Sequence, residues 1–71
     1  MRLFDLIKLF AFDEACRVYT SENEKQAQFE GFVSDIPYWL CECEIMENGG
    51  IGVERSLEGA EDGVIYFYVE V

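Results

Sequence analysis

The sequence predicts an α+β domain: a single antiparallel sheet of four or five strands, an N-terminal helix packed on one face, and a short second helix. Three observations point there. Residues 2–12 carry apolar side chains at helical spacing. Two runs rich in β-branched and aromatic residues, 15–20 and 26–34, flank a polar stretch at 21–25. The chain closes on VIYFYVEV, a run with strand composition. An antiparallel sheet with one face on a core and one face toward water is the economical way to combine such elements.

Taken in order, residues 2–12 read RLFDLIKLFAF. At about 100° per residue, Leu3, Phe4, Leu6, Ile7, Phe10 and Ala11 fall on one broad arc, with Arg2, Asp5 and Lys8 opposite. This is the pattern of a core-facing helix. A helix lying on a membrane surface wants more Lys and Arg on its polar side. The next two runs make a hairpin, with Cys16 and Val18 alternating with Arg17 and Tyr19. In the second run Ala27, Phe29 and Val33 face one way, Gln28, Glu30 and Phe32 the other, and Gly31 marks a bulge or a close backbone approach. Ser34 or Asp35 then reads as a helix N-cap, with Pro37 in the first turn and Tyr38, Trp39 and Leu40 anchoring that turn in the core. Residues 41–46 suit either a continued helix or a strand. Asn48-Gly49-Gly50 signals a turn, residues 51–57 a strand, residues 59–63 another turn, and residues 64–71 the last strand.

Seventy-one residues make one domain, residues 1–71. A chain this short buries only about 60% of its unfolded surface, so a further source of stability such as a disulfide, a metal or association is common at this size. The composition, 51% hydrophobic with six Phe and four Tyr, is well above that of disordered chains. No run approaches the roughly 20 apolar residues of a membrane span. Asp5 and Lys8 interrupt the apolar N-terminus and no small-residue cleavage site follows, which argues against a secretory signal.

The net charge of −10 is concentrated in one half. Residues 35–71 hold nine acids and one base, whereas residues 1–34 hold six acids and four bases. Such a field opposes direct binding to nucleic acid or membrane and favours basic partners. Three cysteines, Cys16, Cys41 and Cys43, leave one without a partner in any intrachain pairing, so they read as reduced thiols of a cytoplasmic protein.

Further resemblance lies in DLIKLF at 5–10, FEGFVSDIPYWL at 29–40 and DGVIYFYVEV at 62–71. Together they resemble small proteins of no assigned function carried by phages, prophages and conjugative elements of Firmicutes. The resemblance spans most of the chain and implies a bacterial cytoplasmic setting and a mobile-element origin. Its motifs are caps, turns and a strand, so it carries over no functional residue.

Catalytic chemistry finds little support. There is no His, which removes the usual general base near neutral pH and the commonest metal ligand. Cys41 and Cys43 sit among Glu42, Glu44 and Glu47, whose charge disfavours a thiolate. No P-loop, dinucleotide-binding glycine pattern, nucleophile elbow or EF-hand loop is present. Cys41-x-Cys43 with Cys16 makes three thiols, whereas a closed zinc site wants four ligands. No enzyme activity, cofactor or metal is therefore expected.

Two binding surfaces are expected instead. On the last strand Val64, Tyr66 and Tyr68 leave on the face opposite Ile65 and Phe67. Together with Arg17, Tyr19 and Phe32 they make an aromatic face suited to association with a second copy or with a basic protein, unless a loop, the Pro37 helix or the 47–58 segment covers it. The alternative surface is acidic: Glu42, Glu44, Glu47, Glu54, Glu58, Glu61 and Asp62. Carboxylates two apart on a strand lie about 6.6 Å from each other, close to the phosphate spacing along a DNA strand. Glu42 and Glu44 on a strand would thus suit an inhibitor that mimics nucleic acid against a basic host enzyme.

Overall fold

A computed structural model of the chain describes residues 1–54 and 63–71, with the backbone alone at Glu54. The elements run α1 (Leu3–Ile7), β1 (Ala15–Thr20), β2 (Phe29–Phe32), a 3-10 turn (Val33–Asp35), α2 (Tyr38–Cys41), β3 (Glu44–Ile45), β4 (Ile51–Glu54) and β5 (Val64–Glu70). The fold is an α+β arrangement of a five-stranded sheet and two short helices. The part of the expected fourth strand at 55–57, and the expected turn at 59–62, lie outside the described residues.

The sheet is mixed, which corrects the expectation of a purely antiparallel one. Its order is β2-β1-β5-β3, with β4 also on β5. β1 pairs antiparallel with β2 as the expected hairpin, but β5 lies parallel to β1, from Cys16 opposite Ile65 to Thr20 opposite Val69. β5 is the longest strand among the described residues and is apolar on both faces, so it gains most from a place where both of its edges are hydrogen-bonded. Reaching that place beside β1 in parallel requires a long crossover, which the elements from β2 through β4 supply.

β3 and β4 do not pair with each other. Both run antiparallel along the same edge of β5: Glu44 and Ile45 oppose Glu70 and Val69, and Ile51 to Glu54 oppose Phe67 to Val64. Between them residues 46–50 bulge out opposite Tyr68. The Met46 N–H donates to the Tyr68 carbonyl at 3.0 Å, and the Tyr68 N–H donates to the Gly50 carbonyl at 2.8 Å. The Asn48-Gly49-Gly50 turn therefore interrupts one edge strand and does not close a hairpin. Gly49 takes φ of +73°, the one positive φ among the described residues and a conformation that favours glycine.

Alternation along β1 and β5 divides the sheet into two faces. Cys16, Val18 and Thr20 on β1 and Phe67 and Val69 on β5 are buried, and Leu3, Val33, Ile36, Leu40 and Cys41 complete that core. Leu6, Ile7 and Phe10 pack against it, and the Phe10 ring meets Phe67 edge-on at 5.6 Å. The predicted helix over 2–12 is cut to Leu3–Ile7. Beyond it the chain tightens into i→i+3 bonds, Leu9 N–H to Leu6 and Phe10 N–H to Ile7, which swing Phe10 inward. A helix this short presents a narrow stripe, Leu3, Leu6, Ile7 and Phe10. Phe4 and Ala11, expected on the buried arc, are exposed. The Lys8 ammonium lies over the Phe4 ring, 4.5 Å from its centroid.

Around Pro37 the expected N-caps are displaced. Ser34 and Asp35 form the 3-10 turn, and Pro37 itself stands at the N-cap of α2, its carbonyl accepting from Leu40 and Cys41 N–H. In a single helical turn only one sector can face inward. Leu40 and Cys41 take it, leaving Tyr38 71% and Trp39 53% exposed instead of anchored in the core. Residues 41–46 are neither all helix nor all strand: α2 ends at Cys41 and β3 starts at Glu44.

Neighbouring positions on α1 should therefore differ sharply. Leu3→Ala is expected to cost about 2–5 kcal/mol, as for a buried leucine, and Phe4→Ala under about 1 kcal/mol. Chemical denaturation of the two variants checks this, and equal losses would contradict the burial pattern.

Candidate functional site

The second sheet face is built by register. Arg17 stands opposite Glu30 and Ala15 opposite Phe32 across β1–β2. Arg17 stands opposite Tyr66 and Tyr19 opposite Tyr68 across β1–β5. Cross-strand partners share a face, so Arg17, Tyr19, Phe32, Val64, Tyr66 and Tyr68 all lie on the side away from Val18 and Phe67. The core side is buried, whereas here the tyrosines and Val64 are half-buried and Phe32 is 52% exposed.

The tyrosines pack as a group. Tyr19 and Tyr68 stack at 6.2 Å with their planes 21° apart, and Tyr66 meets Tyr19 edge-on at 6.3 Å. The Tyr66 ring lies over Gly52, its cross-strand partner. A Cβ at Gly52 would collide with the ring carbons and the hydroxyl, so the glycine is what lets the ring lie down on the strand. At the other end the Arg17 Nε donates to the Glu30 carboxylate at 2.6 Å.

A loop and a bulge wall this ladder. The 21–28 loop is tied at Asn23, whose Oδ1 accepts from the Lys25 and Gln26 N–H groups at 3.2 Å each. With the bulge opposite, it forms a cleft of about 460 Å³ lined by Tyr19, Glu24, Met46, Asn48, Tyr66 and Tyr68. The Tyr68 hydroxyl is buried there without a well-formed hydrogen bond. Burial foremost, then the approach and charge of the Glu24 carboxylate, raise its pKa above the ordinary tyrosine value.

Among the described acidic residues, Glu42 and Glu44 do not share one strand. Glu42 caps the end of α2 in helical conformation while Glu44 lies in β3. The strand spacing that would imitate phosphates therefore does not arise at this pair, because the helix runs up to Cys41. Glu44 stands opposite Glu70, on the tyrosine side of the sheet, and Glu47 is exposed in the bulge beside them. Glu54 ends β4; Glu58, Glu61 and Asp62 lie outside the described residues.

All three cysteines are free thiols, Cys16 and Cys41 buried and Cys43 half-buried. Cys43 Sγ donates to the Trp39 carbonyl at 3.3 Å and Cys41 Sγ to the Ile36 carbonyl at 3.8 Å. Burial is the first cause of their raised pKa values, with neighbouring thiols second for Cys16 and Cys41 and Glu42 second for Cys43. Among the described residues no cluster of His, Cys, Asp and Glu is arranged to hold a metal, and no helix is long and apolar enough to cross a membrane.

Glu24, Met46 and Gly52 had no signal in the sequence, since the bulge and the loop meet only in the folded sheet. The Arg17–Glu30 pair did have one in the hairpin register. Comparison of the chain with protein-family models, curated proteins and solved structures found no match.

Two outcomes follow. Gly52→Ala should displace Tyr66 and cost about 1–3 kcal/mol, as overpacking does; an unshifted Tyr66 ring resonance and an unchanged melting midpoint would contradict the contact. The Cys16 thiol is raised from 9.0 to about 11. Its native pKa exceeds the unfolded one, so the stability it contributes is complete below pH 9 and lost as pH rises through about 11. Denaturation midpoints across that range should fall for the wild type and less steeply for Cys16→Ala.

Proposed function

We propose that the protein is a non-enzymatic binding module that takes a positively charged protein partner on the tyrosine face of its sheet. The observation that carries this reading is the packed ladder Tyr19, Tyr66 and Tyr68 beside exposed Phe32. Aromatic side chains with an arginine at the margin are the composition of association surfaces. Glu24 borders the ladder, Glu44 and Glu70 share its side of the sheet, and the whole chain carries −10. A basic partner answers both the rings and the carboxylates. Non-enzymatic action rests on the absence of His and on thiols held protonated by burial. Three free thiols also fit a reducing compartment such as the bacterial cytoplasm, in line with the resemblance to mobile-element proteins.

Two narrower readings share this surface. Closure on a second copy is favoured by Phe32 and opposed by the carboxylates, which would meet their own kind across a two-fold axis. An inhibitor seated in the basic groove of a nucleic-acid enzyme is favoured by Glu47 and Glu70 at one end of the sheet, where Glu44 is paired with the Met1 α-ammonium.

Phe32→Lys combined with Tyr66→Lys reverses the character of the face at one exposed and one half-buried position. Immobilised wild type is expected to retain a basic protein from bacterial lysate at low salt and release it as salt rises. The double variant, still folded by circular dichroism, should retain none, and light scattering should give one copy for the free wild type. A doubled wild-type mass that the variant halves would transfer the face to self-association. Capture unaffected by both substitutions would remove the face from the function.

A further inference from the structure

We propose that the cleft beside Tyr68 is a binding site for an arginine side chain of the partner, whose guanidinium lies against the tyrosine rings and donates to the Glu24 carboxylate. The proposal rests on the tyrosine face being the docking surface, and it names the chemistry of the contact.

Three features of the cleft converge on that ligand. Its walls are aromatic, with the stacked Tyr19–Tyr68 pair and Tyr66 edge-on beside it. A cation within about 6 Å of such a ring is attracted by its π-face, and a planar guanidinium can also stack on it, which a compact ammonium cannot. Among the described residues Glu24 supplies the one carboxylate lining the cleft. A carboxylate offers about four acceptor sites, enough for the Tyr68 hydroxyl and a guanidinium at once, and a pair of parallel N–H donors matches its geometry. The volume of about 460 Å³ accommodates the planar head and part of its stem, with the Met46 thioether as an apolar wall for the methylenes.

The Tyr68 hydroxyl is the second observation. It is enclosed in the cleft beside Glu24, whose carboxylate lies near enough to raise its pKa. A guanidinium arriving from the cleft pairs with that carboxylate and leaves it acceptor sites for the Tyr68 hydroxyl. Glu24 is prepared for this role by the Asn23 turn, which ties the backbone of the next two residues. Lys25 also lines the cleft and is exposed at its rim; its charge opposes the incoming cation.

The experiment titrates the intact chain with blocked Gly-Gly-Arg-Gly-Gly and with the citrulline and lysine counterparts, reading the tyrosine ring protons by NMR. The arginine peptide should shift the rings of Tyr19, Tyr66 and Tyr68 in a saturable way. Citrulline, of nearly the same shape without charge, should not, and lysine should bind more weakly. Glu24→Gln should weaken the arginine peptide about tenfold, the loss of one charge-assisted bond, and Lys25→Ala should tighten it. Both positions are exposed, and the ring spectrum of each free variant verifies its fold. Equal shifts with citrulline, lysine equal to arginine, or Glu24→Gln binding like the wild type would each overturn the site. Loss of partner capture in Phe32→Lys/Tyr66→Lys without any arginine-peptide binding would retain the docking face and remove the arginine site. Arginine binding with capture untouched by the double variant would do the reverse.

Discussion

The structure depends on β5 having hydrogen-bond partners on both edges. It pairs in parallel with β1 over five registered positions and antiparallel with β3 and β4 on the other side. Remove β5 and β1–β2 is an isolated hairpin, which has marginal stability in water, while β3 and β4 have nothing to lie against. The strand also separates the two faces. Phe67 and Val69 enter the core, and Tyr66 and Tyr68 leave on the opposite side because side chains alternate. Core and proposed docking face are thus two sides of one strand, and the packing of Phe67 fixes the position of Tyr66 and Tyr68.

That arrangement distributes charge in a particular way. Glu44 stands across from Glu70, but its carboxylate is paired with the Met1 α-ammonium at 3.0 Å, which offsets the like-charge opposition. Arg17 meets Glu30 at one end of the face, but Glu24, Glu47 and Glu70 gather toward the other. Under the proposed reading a cationic surface pairs with the carboxylates at that end. The same charge that disfavours a second copy then serves selection and encounter rate. Cys16 and Cys41 are core side chains whose thiol pKa values burial raises.

Local signals were legible wherever one element decides its own conformation. The β1–β2 hairpin follows from two alternating runs around a polar stretch, and the shared face of Arg17, Tyr19 and Phe32 follows from that alternation. The turn at Asn48-Gly49-Gly50 was equally visible, because positive φ at Gly49 is a backbone preference of glycine. The length of the first helix was not. Its apolar period continues to Phe12, yet the helix stops at Ile7 as Phe10 turns in to meet Phe67. Trp39 failed in the opposite direction: large and apolar, it reads as core, but Leu40 and Cys41 occupy the inward sector of a one-turn helix.

By itself the sequence determined the α+β class, the two-faced last strand, the acidic charge and the absence of histidine chemistry, since each is a property of composition or of period along a short segment. Only the tertiary structure decided that β5 lies beside β1 in parallel, that β3 and β4 share one edge around a bulge, and that Glu24 and Met46 flank Tyr68. Apart from the pairing of β4 with β5, those facts join residues more than 20 positions apart. No local period encodes them, because they are set by which edges and faces can be satisfied together once the strands assemble.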